Sequence, residues 1–584
     1  QRAGTYHVIA ISGGNIAILT GLIVGALHAG RVPRRRAAVV AILVIAAYGG
    51  VAGGSPSVGR ATLVAAFYLG ARACDLSARP FAVLAAAVAV LVAREPLVVL
   101  DVGFALTCGA TAGILLVVPA VMARTASGGK EAGAAGSLLR MLVALGASTL
   151  AAELALLPVV VSVFGRVTLG GLLLNFLAIP MMTVAQVAGL AAVGLDAMWP
   201  AAATCAGWVA HAAVVGLVES ARLVEWLPWL TWRVPPPPAG LLLAYYGAWL
   251  VWRARLGRSP PWISRGAMAA ACLATLVLAW PPTWPGFPPR VEPAVRPGRG
   301  GAAPAWARAP LSVVALDVGQ GDATLVTFPD GSAWLVDAGG SVVESTFDIG
   351  ARVVTPALWT LGVRRLDRLI LTHGDPDHIG GARAVVEDFA PGLVVEGVPV
   401  PGHAGLAALR ELVRRRGIRW RAGRRGEQWV VGQAVVHVVH PPPPAWERQR
   451  VRNDDSVVLD VRYGAASILL TGDIGAVAEA EVAAHLAPAG IRVLKVPHHG
   501  SAGSSSAILL DAARPAAALV SAGRRNRFGH PAVAVLERLG ARGVPVFRTD
   551  RLGALAVTTD GVRVVIEAWD GLAWRRLWAA ASAG

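Results

Sequence analysis

Between Val8 and Trp280 the chain is a succession of Ala/Val/Leu/Ile runs, each long enough for the roughly 20 residues a bilayer-crossing helix needs, with only short interruptions. This half reads as a membrane domain. From Leu311 onward the sequence becomes mixed and charged, as in a soluble fold. The contrast accounts for a composition that is 55% hydrophobic and 15% charged over 584 residues, with mean hydropathy +0.58, too apolar for an ordinary soluble enzyme of this length.

Hydropathy sets spans near 6–29, 37–56, 61–78, 80–98, 100–123, 136–164, 168–196, 203–229, 238–256 and 266–282, on the order of eight to ten helices. Gly13-Gly14, Gly53-Gly54 and Gly170-Gly171, with Pro158 and Pro180, are expected to bend or unwind them, which is tolerated only against protein or a water-filled cavity. His7, Asn15, Asp101, Glu153 and Asn175 are costly in lipid and are expected to face the bundle interior as a polar path. A helix-to-helix hydrogen bond is the alternative for each. Arg31, Arg34, Arg35 and Arg36 mark the clearest cytoplasmic loop, followed by Arg253, Arg255 and Arg258, but the span count between them leaves orientation open.

Trp284 to Pro310, rich in Pro, Gly, Ala and Arg, reads as a linker. The expected division is therefore 1–283 membrane, 284–310 linker, 311–570 soluble domain and 571–584 tail. Cys74, Cys108, Cys205 and Cys272 lie in apolar segments without metal-knuckle spacing and are expected as small buried apolar side chains. Net charge is +17, nearly all from arginine, since Lys130 and Lys495 are the only lysines. That permits a polyanionic partner without establishing one. Gln1 leads almost directly into a span with no signal-peptide pattern, so the chain is expected to begin inside a longer protein.

In the soluble half, strands are expected at Leu311–Leu316, Ala323–Phe328, Ala333–Val336, Leu366–Leu371 and Leu393–Val395. More are expected at Trp429–Val431, Ala434–Val439, Val457–Val461, Ser467–Leu470, Val493–Val496, Ala518–Val520 and Val544–Phe547, with helical patterns between. This is an α/β sandwich. Thr372-His-Gly-Asp-Pro-Asp-His-Ile-Gly-Gly381 follows one apolar strand. Its ligands at alternate positions, then an adjacent Asp-His pair, can converge on two cations from one strand-to-helix turn. Leu469-Leu-Thr-Gly-Asp473, Pro497-His498-His499-Gly-Ser501 and Phe528-Gly-His530-Pro add candidates at three more strand ends. Such a set points to a binuclear metallohydrolase.

These motifs resemble the metallo-β-lactamase fold and, within it, the soluble domain of the ComEC competence proteins. Leu316-Asp-Val-Gly-Gln-Gly-Asp322, the Val336-Asp337-Ala-Gly-Gly turn, Asn453-Asp-Asp-Ser456 and Asn526-Arg-Phe-Gly-His-Pro carry the likeness over about Leu311 to Ala568. In the membrane half, His7-Val-Ile-Ala-Ile-Ser-Gly-Gly-Asn15, Asp101-Val-Gly-Phe-Ala-Leu-Thr and Pro158 through Asn175 to Pro180 are similar to the same family in the same order. The resemblance implies a polytopic α-helical channel domain followed by an αββα hydrolase domain.

In the expected site, His373 and Asp375 hold one cation, Asp377 and His378 the other, Asp473 bridges, and His498 or His499 with His530 complete the shells. Asp377, Asp473, His498 and Lys495 are the catalytic candidates, and Lys495, Ser501, Asn526 and Arg527 the candidates for holding phosphate. Asp375 stands where the common motif carries His, and Asn453 near where it has its third histidine. The richer oxygen set moves preference from zinc toward manganese or magnesium, so two divalent ions, manganese or zinc with magnesium as a further option, are expected.

The function implied is uptake of single-stranded DNA from a double-stranded precursor across the bacterial cytoplasmic membrane, with degradation of the other strand. A DNA receptor, a cytoplasmic translocation ATPase, the lipid bilayer and a possible homo-oligomer are the implied partners. The residues alone leave two alternatives, a membrane-tethered hydrolase of a small ester or phosphodiester, or a transporter with a non-catalytic metal-binding domain.

Overall fold

A computed structural model describes residues 13–51, 56–76, 79–126, 134–255, 261–279, 311–341, 347–443, 447–571 and 573–582. His7, Gly53-Gly54, Arg258 and the 284–310 linker lie outside them. The chain divides into two compact units, Gln1–Thr283 and Trp284–Gly584.

Ten α-helices make up the described part of the first unit: Gly13–Ala29, Arg34–Val51, Pro56–Ala73, Pro80–Arg94, Val102–Ala126, Ala134–Phe164, Gly170–Asp196, Pro200–Trp226, Ala239–Arg255 and Pro261–Ala279. Four contain stretches long and apolar enough to cross a membrane, Val102–Ala123, Gly136–Phe164, Gly170–Asp196 and Pro200–Ser220. The expectation of eight to ten spans is thus met in helices but not in span length. Arg34–Val51 opens on three arginines, and Pro80–Arg94 has only 15 residues. Leu43, Leu243, Leu250 and Leu276 are more than half exposed, a surface suited to an apolar solvent. Cys74, Cys205 and Cys272 are likewise exposed and Cys108 half-buried, against the expectation of burial.

Pro158 and Pro180 sit inside continuous helices. Neither helix unwinds at its proline, since neighbouring packing can compensate the one lost backbone bond. The chain does interrupt at Gly165, where φ is 56° and strand β1 (Arg166–Thr168) leads to Gly170. It pairs antiparallel with β2 (Thr231–Arg233).

The second unit holds β3 (Leu311–Ala315), β4 (Thr324–Thr327), β5 (Ala333–Val336), β6 (Arg368–Leu371), β7 (Leu393–Glu396) and β8 (Arg419–Ala422). Then come β9 (Gln428–Val431), β10 (Ala434–His440), β11 (Val458–Tyr463), β12 (Ala466–Leu470), β13 (Ile491–Lys495), β14 (Ala517–Val520) and β15 (Val546–Arg548). The chain ends with β16 (Leu555–Thr559), β17 (Arg563–Trp569) and β18 (Trp574–Ala581). One sheet runs β18-β17-β16-β3-β4-β5-β6-β7-β8 and the other β15-β14-β13-β12-β11-β10-β9. The segment 571–584, expected as a tail, therefore carries an edge strand registered against β17.

Side-chain alternation builds the layers. Leu311, Val313 and Ala315 of β3 and Ala466, Ile468 and Leu470 of β12 fill one shared core between the sheets. The outer face of the first sheet packs Leu369 and Leu371 against Leu358, Val385 and Leu409 of flanking helices. The outer face of the second packs Leu469 and Leu494 against Val482, Leu510 and Val535. The result is helix, sheet, sheet, helix.

Candidate metal centre

In each sheet the parallel strands deliver polar residues at their C-terminal ends. After β6 the chain turns through Thr372–Asp375 into the short helix Pro376–Ile379, whose Asp377 and His378 are buried. After β12, Thr471-Gly472 leads to Asp473, which is 3% exposed. After β13 come His498 and His499, with φ of 50° and 54°. Left-handed backbone on two successive non-glycine residues costs roughly 1–3 kcal/mol each, and the surrounding structure must hold it.

These turns converge. One ligand atom from each of Asp377, His378, Asp473 and His499 lies within 4.8 Å of the others, and all four residues are buried. His378 Nε2 is 3.3 Å from Asp473 Oδ2. His499 Nε2 is 3.5 Å from Asp377 Oδ2 and 3.6 Å from Asp473 Oδ2. His373 lies beside His378 with ring centroids 4.2 Å apart and planes tilted by 54°, and its Nε2 is 3.4 Å from Asp375 Oδ2. His498, a third exposed, comes to 3.9 Å from Asp473 Oδ2.

Hydrogen bonds on the far side of each ring fix which nitrogen faces the cluster. Buried Asp337 accepts from Thr372 N at 2.8 Å, from the Thr372 hydroxyl at 2.8 Å and from His378 Nδ1 at 2.7 Å. With its hydroxyl proton given to Asp337, Thr372 accepts from His373 Nδ1 at 3.1 Å. His499 Nδ1 donates to the Ser521 carbonyl at 3.1 Å. All three imidazoles are thereby turned with the Nε2 lone pair toward one region, the geometry expected of histidines held for a metal.

Those lone pairs have no hydrogen-bond partner. His373 Nε2, His378 Nε2, His499 Nε2 and Asp473 Oδ1 are all buried and unsatisfied. Burying a polar atom unpaired costs several kcal/mol, and a divalent cation held in the cluster would remove that cost at His378, His499 and Asp473. The residues therefore fit the metal that the strand-end motifs imply. Without it, protons are drawn into the same space. Burial pushes His378 down, but Asp473 and Asp337 outweigh it and hold its pKa well above the ordinary value. His499 follows the same balance, with Asp473 and Asp322 overcoming burial. Burial pushes Asp473 up, yet His378 and His499 hold it well below the usual carboxylate range. A metal replaces those protons on binding.

The other expected residues are distributed differently. His499 joins the cluster and His498 stays on the rim, which separates the two histidines that the sequence left interchangeable. His530 stands beside His498, ring centroids 5.9 Å apart, outside the four-residue cluster. Its buried Nδ1 is unpartnered, and burial followed by the charges of His499 and His498 lowers its pKa.

Lys495 is paired within the protein. Its Nζ lies 2.7 and 2.9 Å from the two carboxylate oxygens of Asp322, and both residues are buried. It is a positioning residue, because the β13 alternation points it between the sheets with Ile491 and Val493. Asn526 is spent on its own loop, donating to the Gly523 and His530 carbonyls and accepting from His530 N, so it is not free to hold phosphate. Arg527 is exposed and lies over the Phe528 ring at 4.9 Å. Ser501 does line the groove of about 370 Å³ that opens beside Asp473, Asn453 and His498.

In the helical unit, Asp101 is committed to Arg60 at 3.1 Å and to Gly103 N at 2.7 Å, a helix cap rather than a free path residue. Glu153 and Asn175 both lie beside Gly171, where a Cβ would strike the Glu153 carboxylate. Asn175 Oδ1 and Asn15 Oδ1 are buried without partners, and Gln186 donates to the Asn15 carbonyl at 3.0 Å. Three residues organise the soluble site without having been singled out for it: Asp337, Thr372 and Asp322. The strand-end position of Asp337, before two glycines, is the one signal that could have found it.

Fold and donor set together define a metallo-β-lactamase-fold domain that follows an apolar helical unit. Residues 316–524 match the family described as the Metallo-beta-lactamase superfamily, and residues 1–259 match the family described as Competence protein. Along the chain the two matches stand as a Competence protein region followed by a Metallo-beta-lactamase superfamily region. The chain is similar to ComE operon protein 3 of Bacillus subtilis (strain 168), 26% identical over 95% of this chain and 68% of that protein. Competence protein ComA of Neisseria gonorrhoeae is 31% identical over 56% of this chain and 46% of its own length. Recombination protein 2 of Haemophilus influenzae is 32% identical over 40% of this chain and 26% of its own. The chain thus spans less than half the length of the last two.

Proposed function

We propose that this chain is a DNA-uptake protein of the bacterial cytoplasmic membrane. Its helical unit crosses the membrane several times and passes a single strand, and its metallo-β-lactamase-fold domain hydrolyses phosphodiesters of the strand left behind. A DNA receptor upstream and a cytoplasmic translocation ATPase downstream belong to this reading through the family. The observation that carries it is the cluster of Asp377, His378, Asp473 and His499, metal-ready by its unpaired lone pairs, in one chain with competence-type helices that bury unpartnered Asn15 and Asn175.

In this reading Asp377, His378, Asp473 and His499, with His373 and Asp375 beside them, hold two divalent cations. Manganese or zinc there supplies positive charge to a phosphate ester and makes water acidic enough to furnish hydroxide near neutral pH. Asp337 keeps His378 and, through Thr372, His373 in the ligating tautomer. The Ser521 carbonyl does the same for His499. Ser501 offers a hydroxyl to a phosphate oxygen in the groove. His498, on the groove wall 3.9 Å from Asp473, gives a proton to the leaving oxygen.

The test uses the whole chain in detergent with end-labelled duplex and single-stranded DNA, with and without manganese or zinc. Metal-dependent cleavage that Asp377→Ala abolishes is the expected result. A folded, metal-loaded chain that cuts neither substrate removes the nuclease half of the proposal.

A further inference from the structure

The groove beside the metal centre does not end there. Arg452 and Asp454 belong to the walls of two cavities. The first, of about 370 Å³, includes Asp473, His498 and Ser501. The second, of about 190 Å³, runs along Val398, His440 and Pro441–Pro443.

The acids around this second cavity are already engaged. Asp455 is gripped by Arg448 through two bonds of 3.0 and 3.1 Å. Glu481 faces Arg425 at 3.5 Å and His440 Nε2 at 3.9 Å. Asp454 accepts from Gly475 N at 2.7 Å. Exposed Arg452, at the junction of the two cavities, has no side-chain partner among the described residues. His440 is 3% exposed, and its Nδ1 donates to the Ser456 carbonyl at 3.0 Å, which leaves Nε2 as an acceptor on the cavity wall. The order along the groove is therefore the metal centre, a free guanidinium, then a pocket with an apolar wall, the His440 acceptor and the carboxylates of Asp454, Asp455 and Glu481.

A polynucleotide fits that order with its scissile phosphate at the centre and the next phosphate at the guanidinium, while the base carried between them turns aside into the pocket. We propose that the second cavity is a nucleoside subsite: the sugar and base next to the scissile phosphate lie against Val398 and Pro441–Pro443, and Arg452 binds the following phosphate. The assignment rests on the site acting on nucleic acid and sharpens it, because a small diester fills only the first cavity. Arg suits the role through its paired donors, and the proline rings give a base an apolar face.

The test follows occupancy of the second cavity apart from catalysis. Val477 lines it and is 74% exposed, and the four native cysteines all lie in the helical unit. In the full chain with those cysteines replaced by serine, Val477→Cys is labelled with a maleimide in manganese. A hydrolysis-resistant phosphorothioate single strand of about 12 nucleotides should slow labelling about tenfold, with bis(p-nitrophenyl) phosphate giving no protection. Arg452→Gln should remove the protection and Arg452→Lys retain part of it. With ordinary oligonucleotide, Arg452→Gln should raise KM about tenfold at unchanged kcat, well beyond any rise for the small diester. Protection by both ligands alike, protection by neither, or equal loss on both substrates overturns the subsite. Oligonucleotide-only protection without hydrolysis of either substrate supports it and refutes the catalytic reading instead.

Discussion

Asp337→Asn should weaken metal binding by about 10–100-fold, or roughly 1.4–2.7 kcal/mol, without touching a ligand. Three donors, Thr372 N, the Thr372 hydroxyl and His378 Nδ1, meet the two oxygens of a carboxylate that is 1% exposed. Asparagine offers one acceptor atom in place of two. With its nitrogen toward His378, donor faces donor, and the imidazole escapes only by moving its proton to Nε2, onto the lone pair meant for the cation. With the nitrogen toward Thr372 N, a buried backbone N–H loses its partner at about 1–3 kcal/mol and no tautomer can relieve it. Thr372→Val gives the contrast, since it removes the His373 acceptor and one donor to Asp337 but spares the His378 contact. It should cost about 1 kcal/mol. Manganese titration of the whole chain by calorimetry, with thermal melts in EDTA as the fold control, separates the two. An Asp337→Asn affinity within about threefold of the parent, or a larger loss for Thr372→Val, refutes the assignment of Asp337 as the residue that sets the tautomer.

Lys495→Met should destabilise the soluble domain by about 3–5 kcal/mol, because it strands Asp322 in a dry site, and adding Asp322→Leu should recover most of that loss in urea melts. Additive losses would show that the two residues do not act as a pair. Gly340→Ala sets a Cβ against the Pro376 carbonyl and 3.0 Å from the Gly380 Cα, so the turn carrying Asp377 and His378 must shift. Its manganese affinity should drop while circular dichroism stays native, and unchanged affinity would refute the close approach. Burial pushes the His440 pKa below its ordinary value, so below pH ~6.5 the unfolded chain takes up a proton that the native state refuses. The contribution is complete above that pH and is lost as pH falls toward the folded pKa. Between pH 7.5 and 5.5, His440→Gln should therefore lose less stability than the parent in urea midpoints, and equal losses would count against it.

The metal motifs were legible because each is a short run at a strand end, where alternation stops and turn residues begin. Asp337 was harder to assign, because what it does depends on Thr372, 35 positions away, and on a parallel pairing of β5 with β6 that sequence does not announce. Lys495 was misread from charge alone. Its parity with Ile491 and Val493 on β13 placed it inside, and a buried lysine requires an acid, here Asp322, 173 positions distant. Asn526 was a phosphate candidate within Asn526-Arg-Phe-Gly-His-Pro, yet an Asn at a turn more often spends its amide on that turn, as it does here. The edge strand Trp574–Ala581 was hidden by alanines, which have little strand preference of their own and are held by register against β17. In the helical half, hydropathy found the apolar segments but not how many were long enough to cross a membrane.

The two sheets also share a plan that the sequence does not display as a repeat. β3-β4-β5 are antiparallel and continue into parallel β6-β7-β8, and β10-β11-β12 continue in the same way into parallel β13-β14-β15. In each half the third strand ends on a buried carboxylate, Asp337 or Asp473, and the fourth on a histidine turn, His373–His378 or His498-His499. The halves have diverged in role. Asp337 accepts from the Nδ1 side of His378 and orients the ring, while Asp473 belongs to the four-residue cluster. Two of the four clustered ligands therefore come from each half, Asp377 and His378 from the first, Asp473 and His499 from the second. The four-residue cluster is complete only where the sheets pack through their common core. A cation held there stabilises the sandwich by mass action as it is bound, and chemistry and fold depend on the same junction.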